Sequence, residues 1–470
     1  MIVRRAFTVL LSLVPLLAVP IPSAGQTPPQ AESPFLGSVP AGEATGTTLQ
    51  LSLRDALDRA LKQNLGLIQS DQDTRIASAA RLRRLSDLLP DVSAQLSGTR
   101  QQINLKASGF NVSVPGLSIP SMVGPFSVAD ARLYVSQQIF NLSDIQNWKS
   151  AAESERAARY SYRSDRDLVV LATGNAYLVV ISDQATVEST RAQVTTADTL
   201  HQRARDQNQS GVIAGIDVLR AQVELQTQQQ RLIAAESQLS IDKLALARII
   251  GLPKGQLFEV TDAIPFAPLD GITLDQALTQ AYATRPEYLG ARAQVRAAEL
   301  ARQSAAAANY PSLSTEANYG DIGSPTFGSS HGTFSAAFVL KVPIFQGTRV
   351  RADTLQADAA LKQRRAELAD MDGRVDEQVR TAFLKLTSSS NLVTVAQSNI
   401  GLANQTLAQA RDRFSAGVAA NLEVVQAQES VAAANQSYIA SLYAYNFAKI
   451  SLAQAIGVAE QSALTYLGAR

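Results

Sequence analysis

The chain contains no cysteine. That excludes disulfides, thiolate metal sites, cysteine nucleophiles and a lipid anchor on an N-terminal cysteine. Histidine occurs only as His201 and His331, too few for a histidine-built metal centre or catalytic dyad. A surplus of one charge is also missing. Lys and Arg number 42 against 41 Asp and Glu, a formal net charge of +1. Nothing there would neutralise phosphates, so nucleic acid is not an expected partner. No Gly-rich phosphate loop opens a helix, no nucleophile elbow is present and no histidines are paired at metal-binding spacing. The expectation is therefore no enzyme, no catalytic residue, no cofactor and no metal site. Past the first segment no run of 18 or more apolar residues is found, so no membrane-spanning helix is expected.

What is present begins with an export signal. Arg4 and Arg5 precede an apolar run from Ala6 to Ala18, and Ser23, Ala24 and Gly25 supply small residues for cleavage. Residues 1–25 read as a secretory signal peptide. Residues 26–48, rich in Pro, Gly, Thr and Ala without periodicity, read as a flexible leader.

The remainder is a duplication, with repeats at 49–258 and 259–470. Leu51–Leu57 (LSLRDAL) parallels Ile272–Leu278 (ITLDQAL), and Pro90 parallels Pro311. Further on, Ala204-Arg205-Asp206, Gly211, Asp217 and Gly251 parallel Ala410-Arg411-Asp412, Gly417, Glu423 and Gly457. The offset shrinks between Pro90 and Phe140, which places an insertion in the first copy at 109–125. Each copy opens with a helix, 53–88 or 273–308, capped by Ser52 or Thr273, the latter with Gln276 positioned for a capping box. Both helices stop before a proline. Two strand-like runs follow, then a very long helix (142–208 and 348–414), a glycine-containing break, and a further helix (216–250 and 421–456). The uninterrupted helices are about 100 Å long at ~1.5 Å per residue, matching the two shorter helices laid end to end. This predicts a tall antiparallel wall, with helical turns at one end and strands at the other. Val218, Leu225, Leu232, Leu239 and Leu246 recur every seven residues, as do Leu386, Val393, Ile400, Leu407 and Phe414. That spacing marks coiled-coil seams.

The strand runs alternate. Ala129, Ala131, Leu133, Val135 and Ile139 fall on one face, with Asp130, Arg132, Ser136 and Gln138 opposite. Phe334, Ala336, Phe338, Leu340, Val342 and Ile344 repeat the pattern, and weaker strands start at Val92 and Leu313. Each can reach about 10 residues, enough for a tilted bilayer crossing. Four strands cannot close a membrane barrel, and lipid tolerates no open edge, so several chains would have to contribute. Three would give twelve strands and two would give eight. Residues 109–125 and 320–332 would be outward loops, with His331 on a surface loop. Trp148 and Tyr134 are candidates for an interfacial aromatic belt, Trp148 equally for packing between helices.

Over nearly its whole mature length the chain resembles the TolC-type outer-membrane efflux proteins. The residues that carry the likeness are Ala283–Glu287 (ATRPE), Val342–Gly347 (VPIFQG) and Phe414–Val425 (FSAGVAANLEVV). The resemblance implies a mainly α fold with a transmembrane β part: four strands per protomer completing an oligomeric β-barrel, continued by a coiled-coil α-barrel. It further implies a homotrimer in the outer membrane of a Gram-negative-type cell, extending into the periplasm. The implied partners are outer-membrane lipid, a periplasmic adaptor and an inner-membrane pump, and the implied role is a passive exit duct for efflux or type I secretion. A soluble periplasmic coiled-coil scaffold or adaptor is the alternative.

A conduit needs a polar lumen and a gate rather than chemistry. The helical turns would form the periplasmic tip, where Asp217 and Glu423 start the helices behind them. In a trimer they would supply six carboxylates around one narrowing. The resemblance places acidic gate residues at comparable positions. It also makes Gln426 neutral where an acid is common, and puts Ala419 where an arginine can stand. The same two carboxylates would also serve as first-turn complements to the helix dipole. Arg205, Gly211, Arg411 and Gly417 are candidates for docking the adaptor at the tip. Arg205 and Arg411 read equally as solvated helix ends.

Overall fold

The computed structural model describes residues 33–107, 109, 120–263, 266–269, 271–324, 328–416, 418 and 421–468. The signal segment 1–25 lies outside them. The first repeat contains α1 (Leu53–Gln63), α2 (Leu65–Ser86), β2 (Asp91–Asn104), β3 (Met122–Phe140), α3 (Leu142–Gln209) and α4 (Gly215–Ile249). The second contains α5 (Leu274–Thr284), α6 (Pro286–Ala307), β5 (Ser312–Ser324), β6 (Ser329–Lys341), α7 (Arg349–Ser415) and α8 (Asn421–Ala455). A short strand β1 (Leu49–Leu51) precedes α1, β4 (Phe258–Val260) follows α4, and α9 (Ala459–Leu467) follows α8. The duplication is thus built in matched parts: α1 and α5 have 11 residues each, α2 and α6 have 22, and α4 and α8 have 35.

Each opening helix, expected as a single rod, is two helices. In the first repeat Asn64 is the break. Its backbone is extended, and its side chain accepts from the Gly66 and Leu67 amides at 2.9 and 3.4 Å, restarting the helix as its N-cap. In the second, Pro286 has no N–H to donate and holds Arg285 extended. Both α1 and α5 start with full capping boxes, from Ser52 with Asp55 and from Thr273 with Gln276.

The long helices organise the rest. α2 runs antiparallel to the first half of α3, joined by Ser70 to Asp165 and Arg81 to Glu155, both at 2.5 Å. α4 runs antiparallel to the second half, joined by Arg191 to Glu236 at 2.9 Å. Two shorter helices therefore lie end to end along one long one. α6 bridges the repeats: Ser304 meets Ser143 of α3 at 2.9 Å, and Arg302 and Glu299 reach Asp358 and Arg365 of α7. Along α7 the buried positions Val375, Val379, Ala382, Leu386, Ser389, Val393, Ala396, Leu407 and Ala410 keep a seven-residue seam against α8.

Several expectations need correcting at the middle of this wall. Residues from Pro34 onward are tied down, not flexible: Val39 donates to the Gln63 carbonyl, Leu65 to Gly37 and Ala41 to Gly251, and Phe35 packs on the central core. The boundary at 258/259 cuts through β4, which pairs in parallel with β1, Leu49 opposite Phe258. α9 was not foreseen. In its first turn the Glu460 amide donates to Asp167 at 3.0 Å, and the Glu460 side chain forms an ion pair with Arg166. The middle of α3 is apolar, with one 18-residue window averaging a hydropathy of 1.4. The apolar middle of α3 is core, with Val169, Val170, Tyr177, Leu178 and Val180 buried against α1, α4, α8 and α9.

The four long strands form one antiparallel sheet in the order β2-β3-β5-β6. The pairing puts Ala94, Leu133, Tyr319 and Phe334 in one row, with Val92, Val135, Ala317 and Ala336 in the next. These side chains share a face that is largely bare: Leu96, Tyr319, Phe334, Phe338 and Leu340 are each at least 66% exposed. Opposite them lies a polar face with Ser93, Gln95, Arg132, Asn318 and Ser335. Arg132 pairs there with Asp130 and lies 5.7 Å from the Tyr134 ring, so Tyr134 belongs to the polar face, not to a lipid-side belt. Trp148 is half-buried on α3. The strands are longer than the expected 10 residues, at 13 to 19. Most of 320–332, expected as a loop, is strand, and His331 sits in β6 opposite Ile322. Gly320 explains the misreading: a Cβ there would lie 2.1 Å from the Ala131 carbonyl, so glycine serves strand approach and not a turn. Of the 109–125 insertion, residues 110–119 lie outside the described residues.

Replacing Asn64, which is fully buried, removes the α2 cap and the 2.8 Å bond from its side chain to the Phe35 carbonyl. Asn64→Ala should cost about 1–3 kcal/mol, read as a lowered denaturation midpoint. No measurable shift would show that the break is held by packing alone.

Candidate functional site

At the end of the wall far from the sheet, each long helix turns into its partner. In the first hairpin the turn is a Schellman motif. Val212 donates back to the Gln207 carbonyl at 2.8 Å and Gly211 to Asn208 at 2.9 Å, with Gly211 left-handed at φ +74°. The Asn208 side chain closes the loop onto the Ile213 carbonyl at 2.8 Å. The second hairpin repeats the long bond, Val418 to the Arg413 carbonyl at 3.0 Å. Gly417, the other tip candidate, lies outside the described residues.

Asp217 and Glu423 do sit in the first turns of α4 and α8. Each is tied to an arginine of its own hairpin. Arg220 reaches Asp217 at 3.2 Å within α4, and Arg413 at the end of α7 reaches Glu423 at 3.5 Å across the turn. The two carboxylates are thus arranged in parallel on separate hairpins, each beside its helix N-terminus, where a negative charge is favourable. Arg205 is exposed on α3. Arg411 differs: it is half-buried and lines a cavity of about 410 Å³ between the hairpins, with Glu224 and Gln228 of α4 and Gln428 of α8. Its Nε is buried without a hydrogen-bond partner among the described residues. His201 lies on the α3 seam, half-buried.

A link between hairpins was missed. Arg231 of α4 pairs with Glu429 of α8 at 3.1 Å, and Gln228 reaches the same carboxylate at 3.5 Å. The signal was in the sequence: Gln228 stands at a seam position, seven residues after Ala221, where an apolar residue would be usual.

Well above the tip, burial perturbs groups that anchor the chain crossings. Desolvation pushes Lys449, nearly fully buried, down to about 8, while its Nζ donates to the Ala267 carbonyl at 2.6 Å. Asp167 is pushed up to about 6 by the same cause. No group of three or more acidic or histidine side chains able to hold a metal occurs among the described residues.

The exposed tip pairs should add little to stability. Arg413→Ala is expected to change the unfolding free energy by less than about 1 kcal/mol. A larger loss would place the pair in a cooperative network.

The geometry now meets the comparisons. The family model for outer membrane efflux proteins matches residues 56–252 and 277–458, one match in each repeat. The toluene efflux pump outer membrane protein TtgC of Pseudomonas putida is 25% identical over 92% of this chain and 91% of its own length. The pyoverdine export outer membrane protein OpmQ of Pseudomonas aeruginosa is 26% identical over 87% of this chain and 86% of its own. Among solved structures, the CmeC outer membrane channel of Campylobacter jejuni superposes with a TM-score of 0.72 at 16% identity, covering 94% of each chain. With its duplication, its open four-stranded sheet and both repeats matched, the chain belongs to the outer membrane efflux protein family.

Proposed function

We propose that three copies of this chain close a twelve-stranded barrel in the outer membrane and a helical tunnel below it, forming a passive exit duct. The observation that carries the reading is the sheet. It has one bare apolar face, one polar face and, among the described residues, two edge strands, β2 and β6, each paired on one side only. Lipid tolerates no such edges, whereas a ring of copies satisfies both. The apolar face then meets lipid and the row through Arg132 lines the lumen. Every strand exceeds the ~9–11 residues that a tilted crossing needs.

The relatives' names supply the setting. TtgC and OpmQ are named as outer membrane parts of an efflux pump and an export system. A duct of this kind works with an inner-membrane pump and a periplasmic adaptor. The helical tips, with Gly211, Gly417, Arg205 and Arg411, are the surface we assign to that adaptor. Asp217 and Glu423, threefold repeated, give six carboxylates around the tip, a ring that favours cations and narrows the exit. The reading needs no catalysis; the alternative of a soluble scaffold leaves the bare apolar sheet face unexplained.

The test is single-channel conductance of the mature protein in planar bilayers, with Asp217→Ala/Glu423→Ala alongside. The expected outcome is a small, cation-preferring conductance that rises several-fold in the double variant. Unchanged conductance would reduce the two carboxylates to helix caps. Failure to form channels, with solubility in the absence of detergent, would overturn the duct.

A further inference from the structure

The first hairpin carries a feature that the second lacks. Along α3 the buried positions Val180, Val187, Thr190, Ala197 and Ala204 mark the seam, and Asp183 falls on it, seven residues before Thr190. Along α4 one seam line runs Ala221, Gln228, Ala235, Asp242 and Ile249. Two carboxyl groups therefore occupy facing core positions of one coiled coil. At the equivalent places, 206 residues on, the second hairpin has Ser389 and Ala448, both buried. The duplication supplies its own control, since the same packing is made there without charge.

The surroundings offer little to neutralise the pair. Asp183 and Asp242 are within hydrogen-bonding range of each other, and Asp183 Oδ2 is buried with no partner among the described residues. The Gln238 side chain donates to Asp242 Oδ2 at 2.6 Å. On α3 the next charged side chains are Asp167 in one direction, and Glu188 and Arg191 in the other, with Arg191 occupied by Glu236 of α4. On α4 the next charged side chains are Lys243 and Arg248, and the environment of Asp183 is dominated by burial and by Asp242. α8, which also packs on α3, has no charged side chain between Glu429 and Lys449. Burial and the second carboxylate push Asp183 up to about 7.

We propose that Asp183 and Asp242 share one proton across the α3–α4 seam and form a pH-sensitive lock at the root of the first hairpin. The pair sits between the central core, which ends near Val180 and Leu246, and the free coiled coil. It lies 26 residues, about 39 Å, above the tip. With one proton present, Asp183 donates to the Asp242 carboxylate and the seam closes. Without it, two like charges face each other in an apolar groove and the helices part. A carboxyl whose folded pKa is raised binds its proton more tightly in the closed state. Its stabilisation is therefore full below the ordinary carboxyl range, declines as pH rises toward about 7 and is gone above it. The consequence is a stiff first hairpin in acid and a loosened one in alkali, with the second hairpin indifferent. The lock is independent of the Asp217 and Glu423 gate.

Hydrogen exchange of the full mature chain in detergent tests this, from pH 5.5 to 8.5 with intrinsic rates corrected. Peptides covering 180–190 and 236–246 should lose protection by up to about tenfold per pH unit from pH 5.5 to about 7 and then level off. The equivalent peptides, 386–396 and 442–452, should stay flat. Asp183→Asn keeps the shape and donates an amide hydrogen to Asp242, so its first hairpin should be flat as well. Wild-type profiles that are the same in both hairpins would overturn the lock, whether or not the variant folds. So would an Asp183→Asn profile that keeps the wild-type slope.

Discussion

Unpaired backbone at the sheet edges is the constraint on which the whole architecture depends. β2 and β6 each present a row of amide and carbonyl groups with no partner within the described chain. In hydrocarbon each such group costs several kcal/mol, so a four-stranded sheet cannot stand there alone. Closure by further copies removes the cost and at the same time fixes which face is wet. The bare row of Leu133, Tyr319 and Phe334 then belongs outside, and Arg132 and Asn318 inside. The duplication follows the same logic, since two equivalent hairpins let one chain supply twice the wall.

Below the sheet the problem is one of span. A helix of 68 residues is about 100 Å long and cannot bury a continuous face against anything shorter than itself. The chain meets this with two helices laid end to end, α2 and α4 on α3, then α6 and α8 on α7. That arrangement leaves a joint in the middle of the wall, and the chain crossings gather there. α1, α5, α9 and the β1–β4 pair cover the joint, and the buried polar groups Asn64, Arg285 and Lys449 bond to backbone carbonyls of the segments that cross it. The result is a braced middle from which one helical hairpin of each repeat reaches to the tip.

Much of this was legible from residues alone, because long periodic elements repeat their signal many times. The seven-residue line from Leu386 to Phe414 was read from sequence and forms the α7 seam, with Leu386, Val393 and Leu407 buried. The capping signals at Ser52 and Thr273 were equally direct. What escaped was short or depended on distant partners. β1 and β4 have three residues each and exist by pairing across more than 200 positions. Asn64 breaks a helix through a side-chain cap that any helical asparagine could resemble. Gly320 and Gly323 read as a turn because glycine usually marks one, although here neighbouring strands crowd the Cα. At the tip, the sequence placed Asp217 and Glu423 correctly on their helices but said nothing of Arg220 and Arg413, whose pairing depends on the turn geometry. The polar seam residues Gln228, Asp183 and Asp242 were visible in the heptad lines and passed over in favour of the apolar ones.

Because the chain has no cysteine, the central claim can be tested by paired introductions along the two sheet edges. Cysteines placed in series on β2 and on β6, joined by a reagent too short to span the four strands of one protomer, report whether the edges of different copies meet. The account predicts a covalent ladder that ends at three chains. Chains that remain single, or a ladder that stops at two or continues past three, would contradict it.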